Sequence, residues 1–471
     1  MKRHYILLAA ITMVALLVSS CKVSRDLEVP EDAFPETYRE ATAEDSSQVA
    51  QLDWKSFFSD AVLQKLIDSA LTKNNDLLVA ERNIEAAQWQ LKQAKWGNIP
   101  QLGLQVGAQS NNPSDNSLNG LSSSSFLGQN HIEDYNAMAQ LSWEADLWGK
   151  IRNRKKGALA RYLQTGEAKK ALQTLVVANV AKGYYNLLML DAQLEIAKRN
   201  LVLSDSTLFV IDMQYGAGQV TSLAQQQAKV QRLRAAELIP LVEQQIAVQE
   251  NALSVLTGSF PAAKERGIPL ELVSLPEPLQ VGIPSQLLSQ RPDVKSAELG
   301  LRISNAEVGI AKASMYPALN ITATGGVNSF KSSNWFNIPA SLFGTVAGSL
   351  TQPLLQGQQL RSQYKISEVE REKAVLDFRQ SVLVAVGEVS DALIKVEKLE
   401  EQQLVANERV ETLKVAINNA DMLFKNGMAT YLEVITAQEN LLQSELDLAV
   451  LKMSQLTASV DLYRSLGGGW N

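Results

Sequence analysis

Cysteine occurs once in this 471-residue chain, at Cys21, and histidine twice, at His4 and His131. A single thiol excludes any intrachain disulfide. So few imidazoles and thiols also exclude His/Cys metal clusters and Ser-His or Cys-His nucleophilic catalysis. The net charge of −6 is mild and neither half carries a basic stripe, which removes nucleic acid as a partner. Proline is absent from about Lys150 to Gln214 and from about Gln358 to Asn426, so nothing there forces a helix to end. Charge is nearly absent from two other stretches. Gly97 to Asn130 holds only Asp115, and Ala313 to Leu360 holds only Lys331, where the chain average of 20% would place about ten.

What is present is present twice. Asp76-Leu77-Leu78-Val79-Ala80-Glu81 returns as Asp293-Val294-Lys295-Ser296-Ala297-Glu298, 217 residues on; Ala94-Lys95, Pro100 and Leu102 return as Ala311-Lys312, Pro317 and Leu319. Later matches lie 209 apart: Leu141/Leu350, Arg152/Arg361, Gly218/Gly427, Thr221/Thr430, Leu223/Leu432, Ala228/Ala437 and Gly258/Gly467. The slip of eight falls in a Ser/Asn/Gly-rich stretch between Leu102 and Leu141, read as a lengthened loop. This period far exceeds that of solenoid repeats, so a unit of roughly 200 residues is duplicated and fused. The expected organisation is a signal peptide over 1–20, a tether over 21–52, a first repeat over 53–258, an equatorial linker over 259–286 and a second repeat over 287–471.

Each half reads helix, strand, loop, strand, long helix, turn, long helix. Leu63, Leu66, Ile67, Ala70 and Leu71 open a helical pattern running from about Val62 to Lys95 and ended by Pro100. The period then drops to two. Leu102, Leu104, Val106 and Ala108 alternate with Gly103, Gln105, Gly107 and Gln109, and Tyr135, Ala137, Ala139, Leu141 and Trp143 alternate with Asn136, Met138, Gln140 and Ser142. Leu319, Ile321, Ala323 and Val327 repeat the pattern, and a less regular run covers about Leu342 to Thr351.

Apolar residues set against small polar ones, almost without charge and at the length of a tilted membrane strand, fit a lipid-facing sheet. Strands of a soluble protein would carry charge on the outward face. Tyr135, Trp143, Trp335 and Phe336 lie near strand ends, where an aromatic girdle would be. Four strands neither stay open in lipid nor close a barrel, so several copies have to build one: two would give eight strands, three twelve. Each proline-free stretch, about 65 residues, corresponds to nearly 100 Å of helix. The return helices cover about Thr221 to Leu256, which Pro240 kinks or interrupts, and Thr430 to Leu466. Dotted with Gln, Glu, Lys and Ala, these helices suit water rather than lipid.

Lys2-Arg3 and the apolar run Tyr5 to Val18, too short to span a bilayer, form an export signal. Val18-Ser19-Ser20-Cys21 resembles a bacterial lipobox, which implies acylation of Cys21 and a lipid-anchored N-terminus. Lys22, rather than Asp, after that cysteine implies sorting to the outer membrane.

Gly282-Ile283-Pro284-Ser285, Leu287-Leu288 and Arg291-Pro292-Asp293-Val294 lead into Ala297-Glu298, Asn305-Ala306, Gly309, Ala311, Pro317 and Leu319. Together they closely resemble the signature of TolC-like outer-membrane factors of the OprM/NodT efflux-lipoprotein type. So do Trp54-x-x-Phe57-Phe58, the run from Leu141 to Gly149 before the first long helix, and Leu466-Gly467-Gly468-Gly469-Trp470. The resemblance covers essentially the whole mature chain. It implies a mainly α chain with a membrane β-barrel portion, internally duplicated, with two long α-hairpins and four strands. Three chains would then form a twelve-strand barrel in the outer membrane of a Gram-negative bacterium, continued by a twelve-helix periplasmic tunnel. The implied function is an exit duct that passively passes small molecules from an inner-membrane pump of the RND type, through a periplasmic adaptor, to the outside. The implied partners are that pump, that adaptor, two further copies of the chain and outer-membrane lipid. No catalytic residue, metal or cofactor is expected.

By the same resemblance the turns carrying Gly216, Gly218 and Thr221, and Asn426, Gly427 and Thr430, form the tip that receives the adaptor, and Leu223 and Leu432 constrict the tunnel. Gly218 and Gly427 suit left-handed C-caps, and the threonines suit N-caps of the return helices. Many members carry Asp just before the Ala-Gln of the second hairpin; here that position is Thr436, with Gln227 as its first-half counterpart. An acidic ring is therefore expected to be missing, and the entrance less cation-selective, unless Glu433 or Asp421 replaces it. Arg291-Pro292-Asp293 reads as ordinary helix capping. Two other readings stay open: an exit duct of type I secretion, and a periplasmic adaptor or structural coiled-coil lipoprotein, which would lack the second hairpin and the membrane-type strands.

Overall fold

The computed structural model describes residues 23–28, 53–114, 116–126, 128, 130–274 and 290–470. The signal peptide, Cys21, most of the tether and Gly282 to Leu288 lie outside the described residues. The elements run α1 (Trp54–Phe57), α2 (Ala61–Lys73), α3 (Asn75–Trp96), β1 (Gln101–Asn111), α4 (Leu118–Phe126), β2 (Ile132–Ala145), α5 (Lys150–Gly216) and α6 (Ser222–Leu256), then α7 (Pro292–Ala313), β3 (Ala318–Ser329), β4 (Leu342–Thr351), α8 (Gln359–Lys425) and α9 (Tyr431–Ser465). Short 3-10 turns occupy Leu270–Leu272 and Ser332–Asn334. The two long helices, α5 and α8, have 67 residues each.

Three expectations need correction. The helix expected from Val62 to Lys95 is two helices, broken at Asn74, whose ψ of 125° is extended. Asn74 is buried; its amide donates to the Leu256 carbonyl at 3.0 Å, and its Oδ1 accepts from the N–H groups of Asp76 and Leu77 to start α3. Secondly, the lengthened loop between β1 and β2 contains the nine-residue helix α4. Thirdly, of the kink or interruption expected at Pro240, the interruption does not occur: α6, 35 residues long, runs through it.

The chain forms two compact units, each built from both halves of the sequence. One comprises Ala86–Leu163 and Leu299–Leu376 with the described residues 23–28. It holds a single four-stranded sheet in the order β1-β2-β3-β4, antiparallel throughout. The register places like with like. Leu102, Leu141, Ala323 and Val346 align across the sheet, as do Val106, Ala137, Val327 and Leu342, while Gln105, Met138, Gly326 and Phe343 lie across the opposite face. In β4 the apolar face reads Leu342, Gly344, Val346, Gly348, Leu350; two glycines in that row are why the strand looks irregular in sequence. Tyr135, Trp335 and Phe336 cluster at one end of the sheet, and Trp148 stacks on Tyr316 at the other. Leu104 is 84% exposed and Val346 79% exposed, on the two outermost strands.

The second unit comprises Gln164–Glu298, Asp377–Asn471 and the described part of Pro30–Glu85. Its core gathers Phe58, Leu63 and Ile67 with Val180 and Tyr184 of α5, Val242 of α6 and Leu456, Val460 and Tyr463 of α9. Phe57 stacks on Tyr463 at 4.2 Å. Asp60 caps α2 and accepts from the buried Tyr184 hydroxyl at 2.7 Å; burial first, and then Asp60, push that phenol's pKa upward. Gly183 lets α6 come close, since a Cβ there would sit 3.0 Å from Leu253.

Candidate functional site

Both long hairpins close with the same backbone. Ala217, Gly218 and Gln219 donate to the carbonyls of Met213, Tyr215 and Gln214 at 3.1, 2.9 and 2.9 Å; Asn426, Gly427 and Met428 donate to Met422, Phe424 and Leu423 at 3.2, 3.0 and 2.9 Å. The bond spanning five residues around one left-handed residue is a Schellman closure, and Gly218 (φ 72°) and Gly427 (φ 70°) supply that residue. Gly216 is the last residue of α5, and Asn426 folds its side chain back onto the Met422 carbonyl at 2.7 Å. Thr221 caps α6 by accepting from the Ala224 N–H at 3.4 Å. Thr430 caps α9 with Glu433 as reciprocal partner: that carboxylate accepts from the Thr430 N–H at 2.9 Å and from its hydroxyl.

Behind the turns a small apolar core joins the hairpins: Ile211 of α5, Ala224 and Ala228 of α6, Phe424 of α8 and Val434 of α9. Polar contacts continue the join. The Tyr431 hydroxyl donates to Gln227 at 2.5 Å, and Gln438 donates to Thr207 at 2.6 Å. A groove of about 310 Å³ between α6 and α9 is lined by Gln226, Gln227, Val230, Arg234, Leu432 and Glu439. Leu223 and Leu432 are 57% and 55% exposed, outside that apolar core.

The acidic candidates are engaged locally. Asp421 pairs with Lys425 one turn on, at 2.6 Å. The hydrogen bonds from Thr430 hold the Glu433 carboxyl below its ordinary range, so it stays ionised while serving as a cap. Thr436 is exposed and neutral. The Gln227–Tyr431 contact escaped sequence reasoning, because its partners are 204 residues apart and no motif marks either.

Arg291 corrects another expectation. It is 4% exposed and does more than cap: it donates to Asp293 (2.6 and 3.0 Å), to Glu388 of α8 (2.7 Å) and to the Ser465 carbonyl at the end of α9 (2.9 Å). Burial alone would raise the Asp293 and Glu388 carboxyls; the guanidinium reverses this and leaves both below their ordinary values. Its first-half equivalent is Asn74, and Ser465 is the equivalent of Leu256, so the same link from helix start to return-helix end is made twice. The described residues contain no group of three or more His, Cys, Asp or Glu able to hold a metal, and no helix long and apolar enough to cross a membrane.

The family model described as outer membrane efflux protein matches residues 66–259 and 283–468. The cation efflux system protein CusC of Escherichia coli O6:H1 is 28% identical over 467 residues, 97% of each chain. The solvent efflux pump outer membrane protein SrpC of Pseudomonas putida is 30% identical over 422 residues, 88% of this chain and 87% of its own. A solved structure of CusC superimposes with a TM-score of 0.83 at 25% identity, covering 95% of this chain and all of that one.

Proposed function

The chain belongs to the outer membrane efflux protein family and is an outer-membrane efflux channel; from that premise we propose that three copies assemble into the exit duct of a tripartite pump. The observation that carries assembly is the sheet, four strands with an apolar face and two outer edges that no described strand pairs with; the number three rests on the family resemblance. Lipid offers those edges no hydrogen bonds, so copies have to complete a closed barrel. The two α-hairpins of each chain supply the tunnel, and each sequence repeat contributes two strands and one hairpin. Cys21 is the acylated residue, and the tether leads from it to the folded part. No chemistry is done on the cargo.

The tip is the gate. Leu223 and Leu432 are the apolar constriction, the Gln227–Tyr431 bond and the apolar core behind it hold the hairpins together in the closed arrangement, and the exposed turns receive the adaptor. Relatives of near-equal identity are named for cations and for solvents, which supports placing cargo choice in the pump rather than in the duct. With Thr436 in the acidic position, Glu433 is an exposed carboxylate one turn away. The test is fractionation followed by electrophoresis without boiling. An SDS-resistant trimer in the outer-membrane fraction is the expected result; a monomer released with the periplasm contradicts it.

A further inference from the structure

The first turns of α5 read Lys150-Ile151-Arg152-Asn153-Arg154-Lys155-Lys156. Cations at a helix N-terminus oppose its dipole. Asp146 offsets part of this, accepting from the N–H groups of Ile151 (3.0 Å) and Arg152 (2.9 Å). The duplicate helix carries only part of the cluster: 209 residues on, Arg152 and Lys156 recur as Arg361 and Lys365, but Lys150, Arg154 and Lys155 become Gln359, Gln363 and Tyr364. Inside the chain the cluster is only partly answered. Lys150 pairs with Glu144 at 2.9 Å, and Lys156 lies 3.7 Å from Asp26 with both side chains more than half exposed. Arg154 and Lys155 are exposed and have no hydrogen-bond or ion-pair partner among the described residues.

A separate feature brings lipid to the same place. Residues 23–28 lie as a strap on this unit. The Asn305 amide mimics a strand neighbour, donating to the Leu27 carbonyl at 2.8 Å and accepting from the Leu27 N–H at 3.0 Å, and Arg371 donates to the Arg25 carbonyl at 3.2 Å. Between the strap and α5 is a cavity of about 230 Å³ lined by Val23, Ser24, Trp148, Arg152, Asn153 and Lys156, with Asp26 as its one carboxylate. Trp148 ties that cavity to the end of the sheet, donating to the Pro317 carbonyl at 2.8 Å just before β3. Cys21 precedes Val23 by two residues, which span at most about 7 Å. The basic turn, the base of the strands and the chain leading to the acylated residue therefore meet.

We propose that this turn is a binding site for an anionic phospholipid of the periplasmic leaflet. Arg152 and Lys156, which line the cavity, and Lys155, which flanks it on the same helical face, take the headgroup phosphate, while Val23 and Trp148 flank the glycerol end. The proposal rests on the outer-membrane reading. Apolar groups beside cations that outnumber the one carboxylate fit an anionic lipid better than a free anion. The strap and Lys155 are not duplicated, which gives one such site per chain at the base of the strands, where it fixes the depth and tilt of the sheet. A helix start that defies its own dipole is the kind of local conflict expected at a functional position.

The experiment is native mass spectrometry of the detergent-purified full-length protein, titrated separately with phosphatidylglycerol, phosphatidylcholine and inorganic phosphate. Phosphatidylglycerol is expected to bind at least tenfold more tightly than phosphatidylcholine. K155Q/K156Q should reduce that preference by roughly tenfold or more, on the basis of about fivefold per cation. R154Q, on a neighbouring face, should keep most of it. Equal binding of the two lipids overturns the proposal, as does a preference that survives K155Q/K156Q, an R154Q loss as large as that of the pair, or displacement by inorganic phosphate at equal concentration. Fractionation of the same preparations separates the two readings. Protein absent from the outer membrane defeats the channel assignment, whereas protein present there without lipid preference defeats this site alone.

Discussion

In the first hairpin turn Asp212 accepts a hydrogen bond from Gln225 across on the return helix at 2.9 Å; in the second, its counterpart Asp421 accepts from Lys425 on its own helix at 2.6 Å. Ala224 is fully buried between the hairpins, whereas Glu433 in the same place is exposed and caps its helix. Gln227 holds Tyr431, whereas Thr436, its equivalent, faces outward. Main-chain geometry, set by one left-handed glycine and one capping threonine, has survived duplication almost unchanged. The side-chain contacts that decide how the hairpins hold each other have diverged. In the proposed duct the staves would share a backbone, and their differences would lie in the side chains.

The largest expected effect lies where the halves make the same link with different chemistry. R291M leaves Asp293 without its cation and Glu388 with Arg464 alone, and should cost about 3 kcal/mol, the lower end of the range for breaking a buried ion pair. N74A at the equivalent place should cost about 1–2 kcal/mol, the loss of a cap and one buried hydrogen bond. Chemical denaturation of both variants checks the ratio. The pair also has a pH signature. Because both carboxyls titrate lower in the folded protein than unfolded, their contribution is complete above the unfolded values and disappears as pH falls through the depressed ones. Wild type should therefore lose stability as pH drops below about 4, and R291M should lack the Asp293 share of that decline, since Arg464 still pairs with Glu388.

The four Schellman glycines come next. Gly218, Gly258, Gly427 and Gly467 all have φ between 64° and 90°, so alanine strains each of them. At Gly258 a Cβ would also come within 2.3 Å of the Lys73 carbonyl oxygen, while at Gly218 and Gly427 it would meet nothing. G218A and G427A should each cost about 1 kcal/mol. G258A should cost clearly more, read as a larger drop in the temperature at which the SDS-resistant assembly dissociates. Equal drops would mean that backbone strain alone matters. Smaller still is Y431F, which removes one hydrogen bond between hairpins, about 1 kcal/mol. Its global stability should barely change, but proteolysis at the turns should speed up. Q227A should have the same effect, and T436A, at the equivalent position, none.

Much of this was legible in the sequence because period, charge and punctuation agreed. Strands β1 and β3 announced themselves by alternation in stretches almost free of charge, β2 by alternation alone, and the turns by Gly and Thr at spacing 209. Asn74 did not, since apolar spacing runs on through it and only the distant Leu256 carbonyl makes the break worthwhile. The α4 helix was hidden in a composition that favours loops, and β4 by glycines standing where apolar residues would otherwise alternate. At the site, the caps were readable residue by residue. The Gln227–Tyr431 bond and the Arg291 cluster were not, because both depend on segments brought together only by the packing of helices far apart in the chain.

The central claim is that these unequal hairpins gate an efflux channel, and single-channel recording in planar bilayers tests it most directly. Wild-type protein is expected to show a small conductance that Y431F combined with L432S increases severalfold. E433Q should reduce whatever preference for cations the wild type shows. A wild-type conductance already at the level of the double variant, or one that Y431F/L432S leaves unchanged, would contradict the account.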